Sequence, residues 1–438
     1  MDLAQPDQRT LLAAAVTCSR TAYSRRQVLR LGGAAGALGL LAACGGGSGS
    51  TGSTTSGASS PAASPAASSA SSAVASSAAI GPVSLDDVTR ASLDKIGGSV
   101  FTSSGLTGMA AAVWIGDDVW QTTYGVSDLD SKAPYRAEDY VRIASITKSF
   151  TATAVLQMVD AGSLALDDVL ESYVPGIANG SQITIQQLLG MQSGIYDFTS
   201  NAQFLADFDA DPTMAWSEEQ TVALIKANQP SFAPGAQLQY CDSNYVLLGM
   251  ILEKTGGKSA GEVITEQVVK KVGLTGTSYP TDATMPDPHP TAYRPGGDTS
   301  DGSKPFDNAA NPPKVVNEVN PAVASTAGAM ISTLADLKVW GAELAGGSLL
   351  KPETQALRLQ YTRFPNVPVN LGYGLGCERL NDFTGHNGAI LGYSTVVMRD
   401  PNADVTIAAV ANESTNFSTP TSNFAYGVIK TLYPSQWT

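Results

Sequence analysis

Between Gly45 and Ala79 every residue except Val74 is Gly, Ser, Thr, Ala or Pro. Such a stretch has almost no apolar surface to bury, so it cannot offset the entropy of ordering its own backbone. It splits the 438-residue chain into a short leading piece and a long body, and assigns every folded function to residues from about Gly81 onward. Residues 44–82 are expected to be a flexible tether with a root-mean-square reach of roughly 30 Å. The body, residues 83–438, is long enough to form one large folded unit.

The leading piece carries an address. Arg25-Arg26 stands just ahead of Leu31 to Ala43, a weakly apolar run rich in Gly and Ala. A membrane span needs about 20 apolar residues, so this run is too short. It fits the h-region of an export signal, and the paired arginine marks the twin-arginine route. Leu41-Ala42-Ala43-Cys44 then resembles a bacterial lipobox. The expectation is a signal over residues 1–43, lipidation at Cys44, and a body held at the outer face of the cell membrane by a lipid anchor alone.

Charge and residue supply narrow the chemistry. The net charge is -13, from 39 Asp+Glu against 26 Lys+Arg. A nucleic-acid partner needs basic surface to neutralise phosphates, and a membrane patch needs basic clusters, so neither is expected. There are only two histidines, His289 and His386. A zinc or di-iron centre built from several histidines lacks the ligands, and neither metal nor organic cofactor is expected.

The body reads as strands, then helices, then strands. Ser84-Leu85-Asp86-Asp87 opens a helical pattern with an N-cap serine that runs to about Gly97-Gly98. Met109 to Ile115 and Val119 to Tyr124 form a hairpin signal across Gly116-Asp117-Asp118. Helical patterns dominate the middle, with a long apolar face over Ser149 to Ala161 and Thr184-x-x-Gln187 and Thr333-x-x-Asp336 as capping boxes. Strand-like runs return at Tyr373 to Leu380, Thr384 to Ile390, Tyr393 to Arg399 and Val405 to Val410. This order predicts an α+β fold: an antiparallel sheet closed by both ends of the chain, flanked by terminal helices and carrying a large helical insertion.

Ser145-Ile146-Thr147-Lys148 opens the helix over Ser149 to Ala161. At this spacing a hydroxyl and an amine share one helical face. A serine is a poor nucleophile at neutral pH, and a desolvated neutral lysine beside it can accept its proton. A helix start adds N–H groups suited to an oxyanion. The pattern occurs twice, however: Ser92-Leu93-Asp94-Lys95 matches it within a charged helix and reads as a solvated face. No G-x-S-x-G is present, so the strained elbow of α/β-hydrolases is not offered.

The words around Ser145 go further. Arg142 to Gly176, Ile183 to Phe198, Pro234 to Gly256, Ala324 to Gly341 and Gly385 to Pro401 resemble, in order, the signatures of the serine β-lactamase and penicillin-recognising superfamily. They resemble its class C-like branch, with D,D-carboxypeptidases and related esterases. That resemblance implies a β-lactamase/transpeptidase-like fold. It also implies Ser145 as the acylated nucleophile, Lys148 as its activating partner and Tyr240 as a proton shuttle. His386-Asn387-Gly388 would occupy the family's K-T-G strand, with the backbone N–H groups of Ser145 and Ala389 as the oxyanion hole. Gly388 would let substrate lie close against that strand. Lys254-Thr255-Gly256 spells K-T-G literally but ends a helix soon after Tyr240, and reads as a helix terminus. His289 reads as loop surface.

One position departs from the pattern. Asp242 stands where the family usually has Asn, and a carboxylate cannot donate the hydrogen bonds that an amide makes there. Near Lys148 it would favour the ammonium and weaken a lysine base; alternatively Asp242 or Ser243 caps the helix that follows. Cys241 and Cys377 either pair or are two buried thiols, and spacing alone does not decide between them. The expected protein is a monomeric serine hydrolase acting through an acyl-enzyme on a peptide, lactam or ester carbonyl, of small-molecule or cell-wall-derived peptide origin. A small-ester carboxylesterase and a non-hydrolytic penicillin-binding module are the alternatives. Specificity is expected in loops around Asn201 to Trp216 and Thr291 to Pro321.

Overall fold

A computed structural model describes residues 83–297, 306–365, 367, 369–414 and 419–437. The signal, Cys44 and the tether lie outside the described residues. No helix among the described residues is long and apolar enough to cross a membrane.

The first helix, α1 (Asp87–Ser104), starts two residues later than the sequence pattern suggests and runs past Gly97-Gly98. Its N-cap is Asp86, whose carboxylate accepts Thr89 N–H at 2.8 Å, and not Ser84. The helix survives its two glycines because Gly97 serves packing: a Cβ there would meet Tyr124 Oη at 2.3 Å. Gly105, at φ +69°, ends it in the left-handed conformation.

Strands β1 (Gly108–Ile115) and β2 (Asp118–Gly125) form the expected hairpin, turning through Gly116 at φ +58°. Two short pairs follow within the insertion. They are β3 (Val141–Arg142) with β6 (Ile331–Ser332), and β4 (Tyr293–Arg294) with β5 (Lys314–Val315). The chain then returns as β7 (Thr362–Arg363), β8 (Leu371–Tyr373), β9 (Glu378–Leu380), β10 (Phe383–Ile390), β11 (Tyr393–Asp400) and β12 (Val405–Ala411). The run Tyr373 to Leu380 is therefore two strands, broken by a turn that holds Gly376 at φ +85°.

The main sheet has the order β2-β1-β12-β11-β10-β9-β8-β7, antiparallel throughout. β1 pairs with β12 from Met109↔Ala411 to Ile115↔Val405, so both ends of the fold close the sheet. Central β1 and β12 are buried almost throughout, and read as continuous apolar runs because helices cover both faces. Edge strand β2 alternates instead.

Helix α1 and the last helix, Pro420–Leu432, pack together on one face of the sheet, and Leu334–Gly346 packs on β11 and β12. Gly341 lets the latter approach, since a Cβ would meet Val397 Cγ2 at 2.9 Å. Thr333 caps that helix by accepting Asp336 N–H at 3.2 Å, but Asp336 does not complete a capping box. Its carboxylate goes to Gly276 N–H and Thr277 Oγ1. Thr184 and Gln187 do form the reciprocal box.

Within the insertion, helix α2 (Thr147–Asp160) is buried on all sides from Thr147 to Leu156. Its hydroxyls find partners in place of water: Thr151 Oγ1 donates to Thr326 O at 2.8 Å, and Trp340 Nε1 donates to Ser149 Oγ at 2.8 Å. Helix α3 (Asp242–Gly256) packs beside it. α2 is thus fixed on several sides, and the serine at its start is fixed with it.

Candidate active site

Ser145 sits in a single 3₁₀ turn, Ala144–Ile146, that runs directly into α2. The entry is strained: Ala144 has φ +48°, in the left-handed region that alanine seldom occupies. Two neighbours hold the turn in place. Ile143 N–H donates to Met330 O at 2.9 Å, and Thr395 Oγ1 donates to Ile143 O at 3.1 Å.

Lys148 lies one turn on and is fully buried. Its Nζ donates to Ser145 Oγ at 3.1 Å, to Ala327 O at 2.7 Å and to Asp242 Oδ1 at 2.6 Å. The carboxylate stabilises the ammonium form by charge pairing in a site that would otherwise disfavour it. Asp242 is therefore not a helix cap: the N-cap of α3 is Cys241, without a side-chain bond, and Ser243 Oγ accepts Phe198 N–H from a neighbouring loop. The second carboxylate oxygen, Oδ2, accepts Thr199 Oγ1 at 3.3 Å.

Tyr240 precedes α3 and is buried, with Lys148 Nζ 5.0 Å from its ring centroid. Its ring also stands edge-on to those of Tyr373 and His386, at 6.0 and 6.2 Å. His386 is fully buried on β10, where Nε2 meets Tyr373 Oη at 3.0 Å and Nδ1 meets Asn387 O at 2.6 Å.

Gly388 lies where β10 meets the serine turn. A Cβ there would meet Ile143 O at 2.3 Å and Ala144 Cβ at 3.0 Å. Glycine lets β10 close on the serine turn. His386 shares that face by strand alternation, whereas the side chains of Asn387 and Ala389 project to the other.

The N–H groups of β10 follow the same period along its edge. Asn387 N–H donates to the carboxyl of Glu378 on β9, so Ala389 N–H points to the same edge. β9 pairs with β10 only over Phe383 to Gly385. Beyond that, Ala389 and Ser145 line one cavity. Phe198, Phe204, Leu205, Phe208 and Val323 give this cavity an apolar wall, with Asp242 and Thr199 beside the serine. The segment around Asn201 to Trp216 reaches it as a helix, Ala202–Ala210, not as a loop.

Sequence reasoning did not single out Tyr373, Thr199 or Glu378. Burial pushes the Glu378 carboxyl up to about 7, against the opposing pull of Asn387 N–H and of Lys148. An acid beside Arg379 in a short strand-like run is its one available signal. Cys241 and Cys377 are free, buried thiols, and burial raises both above the usual thiol range. Lys254 donates to Ser172 O and Tyr173 O at the end of α3, away from the serine. His289 is part-buried against Pro286 O. Among the described residues no cluster of His, Cys, Asp and Glu could hold a metal.

Comparison with known proteins places this geometry. The family model described as "Beta-lactamase" matches residues 85–427. Protein flp of Staphylococcus aureus is 26% identical over 303 residues, 67% of this chain but 57% of that protein, so the chain spans little more than half of that relative. The D-alanyl-D-alanine-carboxypeptidase/endopeptidase AmpH of Escherichia coli is 25% identical over 64% of this chain and 69% of its own. Among solved structures, a D-stereospecific amidohydrolase from Streptomyces sp. superposes with a TM-score of 0.67 at 29% identity, covering 79% of this chain and 98% of that one. A D-amino acid amidase from Ochrobactrum anthropi shares the fold at 21% identity and a TM-score of 0.67, over 80% and 99% of the two chains. The chain belongs to the beta-lactamase family and has its β-lactamase/transpeptidase-like α+β fold.

Proposed function

We propose that the protein is a serine hydrolase that forms an acyl-enzyme at Ser145 and acts on a small amide, peptide or ester carbonyl. One observation carries this reading: a buried amine stands 3.1 Å from a serine hydroxyl at the floor of an apolar cavity whose rim includes Ala389. In the proposed sequence, Ser145 Oγ attacks the carbonyl carbon as its proton passes to Tyr240, which hands its own proton on to the leaving group, while the Lys148 ammonium donates to Ser145 Oγ. The developing oxyanion is met by the N–H groups of Ser145 and Ala389. The leaving group departs with that proton, and water then releases the acid. His386 and Tyr373 orient Tyr240 and do not touch the carbonyl.

Within the family we place the chain in the class C-like branch, near the carboxypeptidases and amidohydrolases it matches. The Asp242–Lys148 ion pair speaks against efficient β-lactamase turnover and leaves a second reading, a non-hydrolytic binding module. Incubation with a fluorescent penicillin and a p-nitrophenyl ester separates them. Stable labelling points to a peptidase, ester turnover alone to an esterase, and neither, with Ser145 intact, to a binding module. Asp242→Asn is expected to raise turnover of a chromogenic cephalosporin; an unchanged rate contradicts the role given to the ion pair.

We also propose that the protein is exported through the twin-arginine route and anchored by a lipid on Cys44, with the body acting on small or cell-wall-derived substrates outside the membrane. On that reading wild type sediments with membranes and Cys44→Ala is released, whereas a freely soluble wild type refutes the anchor.

A further inference from the structure

The main chain on both sides of Tyr240 is tied to one residue that takes no part in the proton transfers. Gln239 N–H donates to Met191 O at 3.0 Å, and Cys241 N–H donates to Met191 Sδ at 3.3 Å. Met191 thus brackets Tyr240, with its carbonyl before it and its thioether after it. The same sulfur accepts from Asn244 Nδ2 at 3.5 Å, in the first turn of α3. Ser193 Oγ holds the other end of that amide by donating to Asn244 Oδ1 at 2.6 Å. Met191, Cys241 and Asn244 are all buried, so these N–H groups have no water to turn to if the sulfur is lost.

The backbone at Met191 carries a strain that glycine would remove. Met191 follows the short helix Ile185–Leu189 and its C-cap, Gly190. Glycine commonly takes the left-handed position at a helix end, because it has no Cβ to clash. Here Gly190 has φ -91° and Met191 takes φ +59°. A methionine in that conformation persists only where its surroundings fix it. The thioether also suits the place chemically. Two N–H donors converge on it, and sulfur accepts without adding a donor that would need its own partner.

We infer that Met191 is a positioning residue, whose thioether and carbonyl set the backbone of Tyr240 and so hold the phenol for proton transfer at Ser145. The inference rests on the serine-hydrolase reading above. Lys148, Tyr373 and His386 meet the ring of Tyr240, at 5.0, 6.0 and 6.2 Å, whereas Met191 fixes the chain from which that ring extends. Met191 does not line the cavity at Ser145, so replacing it leaves the cavity wall in place. Its effect therefore falls on kcat and not on KM. A misplacement of about 1 Å at a reacting group is enough to cost about a hundredfold.

The test follows ester hydrolysis, with rates referred to the folded fraction read by circular dichroism. Met191→Leu keeps the volume and removes the acceptor; it should lower kcat by about ten- to a hundredfold with KM little changed. Met191→Gln returns an acceptor of similar reach and should recover most of that loss. In a Tyr240→Phe background, Met191→Leu should change kcat by less than about twofold, because the group being positioned is gone. A merely structural residue would subtract the same factor in both backgrounds. A wild-type kcat in Met191→Leu, an equal loss with Tyr240→Phe, or no recovery in Met191→Gln overturns the inference. If Met191→Leu does not fold, Met191→Gln decides: kcat within about tenfold of wild type supports the inference, and a larger loss overturns it. Failure of the parent reading looks different: wild type forms no acyl group at Ser145, and Tyr240→Phe hydrolyses the ester as fast as wild type.

Discussion

The chain carries the pattern Ser-x-x-Lys twice, and the two copies meet opposite fates. Ser92 and Lys95 lie mid-helix on α1, where Ser92 Oγ donates back to Val88 O at 2.8 Å and Lys95 is exposed. Ser145 and Lys148 have the same spacing, but the serine begins its helix and the lysine is sealed beneath it. Spacing lets the two groups touch. Burial, a carboxylate partner and a strained approach decide whether touching becomes chemistry. A solvated lysine keeps its proton and its freedom, whereas a buried one must be matched by exact neighbours or unfold its surroundings.

The sharpest way to break the contrast is to remove each serine. Ser145→Ala should lower ester turnover by about a thousandfold or more, and Ser92→Ala should leave it unchanged, as read from initial rates. Next come the lysines. Lys148→Met leaves Asp242 buried and unpaired, and should cost about 3–5 kcal/mol in urea unfolding. Adding Asp242→Leu should restore most of that stability without restoring activity. Lys95→Met should stay within about 0.5 kcal/mol.

Glu378 sharpens the comparison through pH. Its carboxyl ionises near 7 in the folded chain against an ordinary 4.5, so the folded state holds the proton more firmly. The resulting stability is fully present below about pH 4.5 and is lost as pH rises through 7, a fall of about 3 kcal/mol. Glu378→Gln should abolish this decline: unfolding midpoints of variant and wild type should differ more at pH 8.5 than at pH 5. Among the variants at the site itself, a further effect is expected from Gly388→Ala. Its Cβ has to displace Ile143 O, which at about 1–3 kcal/mol of overpacking should slow acylation while the fold persists.

These residues also mark how far the sequence could be read. The hairpin at Gly116, the closure of the sheet by both ends and the contact of Ser145 with Lys148 at a helix start were all legible, because each depends on local turn chemistry, apolar periodicity or a spacing of three. The literal Lys254-Thr255-Gly256 could be set aside because a helix end cannot serve as a strand edge. What was hidden depends on contacts between distant segments. Whether Asp242 caps its own helix or pairs with Lys148 turns on how α3 lies against α2. The need for Gly388 comes from Ile143 and Ala144, more than two hundred residues earlier in the chain. Glu378 is one acid in a short strand until β10 places Asn387 N–H over it. The two-strand break at Gly376 is hidden because Tyr373, Leu375 and Cys377 keep the look of one strand on either side of the glycines.

The oxygen that becomes acylated decides whether Ser145 is the nucleophile. Wild-type protein exposed briefly to a fluorescent penicillin and to an activated ester, then mapped by peptide mass spectrometry, should carry a single acyl group on Ser145 and none on Ser92. Turnover that survives in Ser145→Ala, or an acyl group carried on another residue while Ser145 stays unmodified, would contradict it.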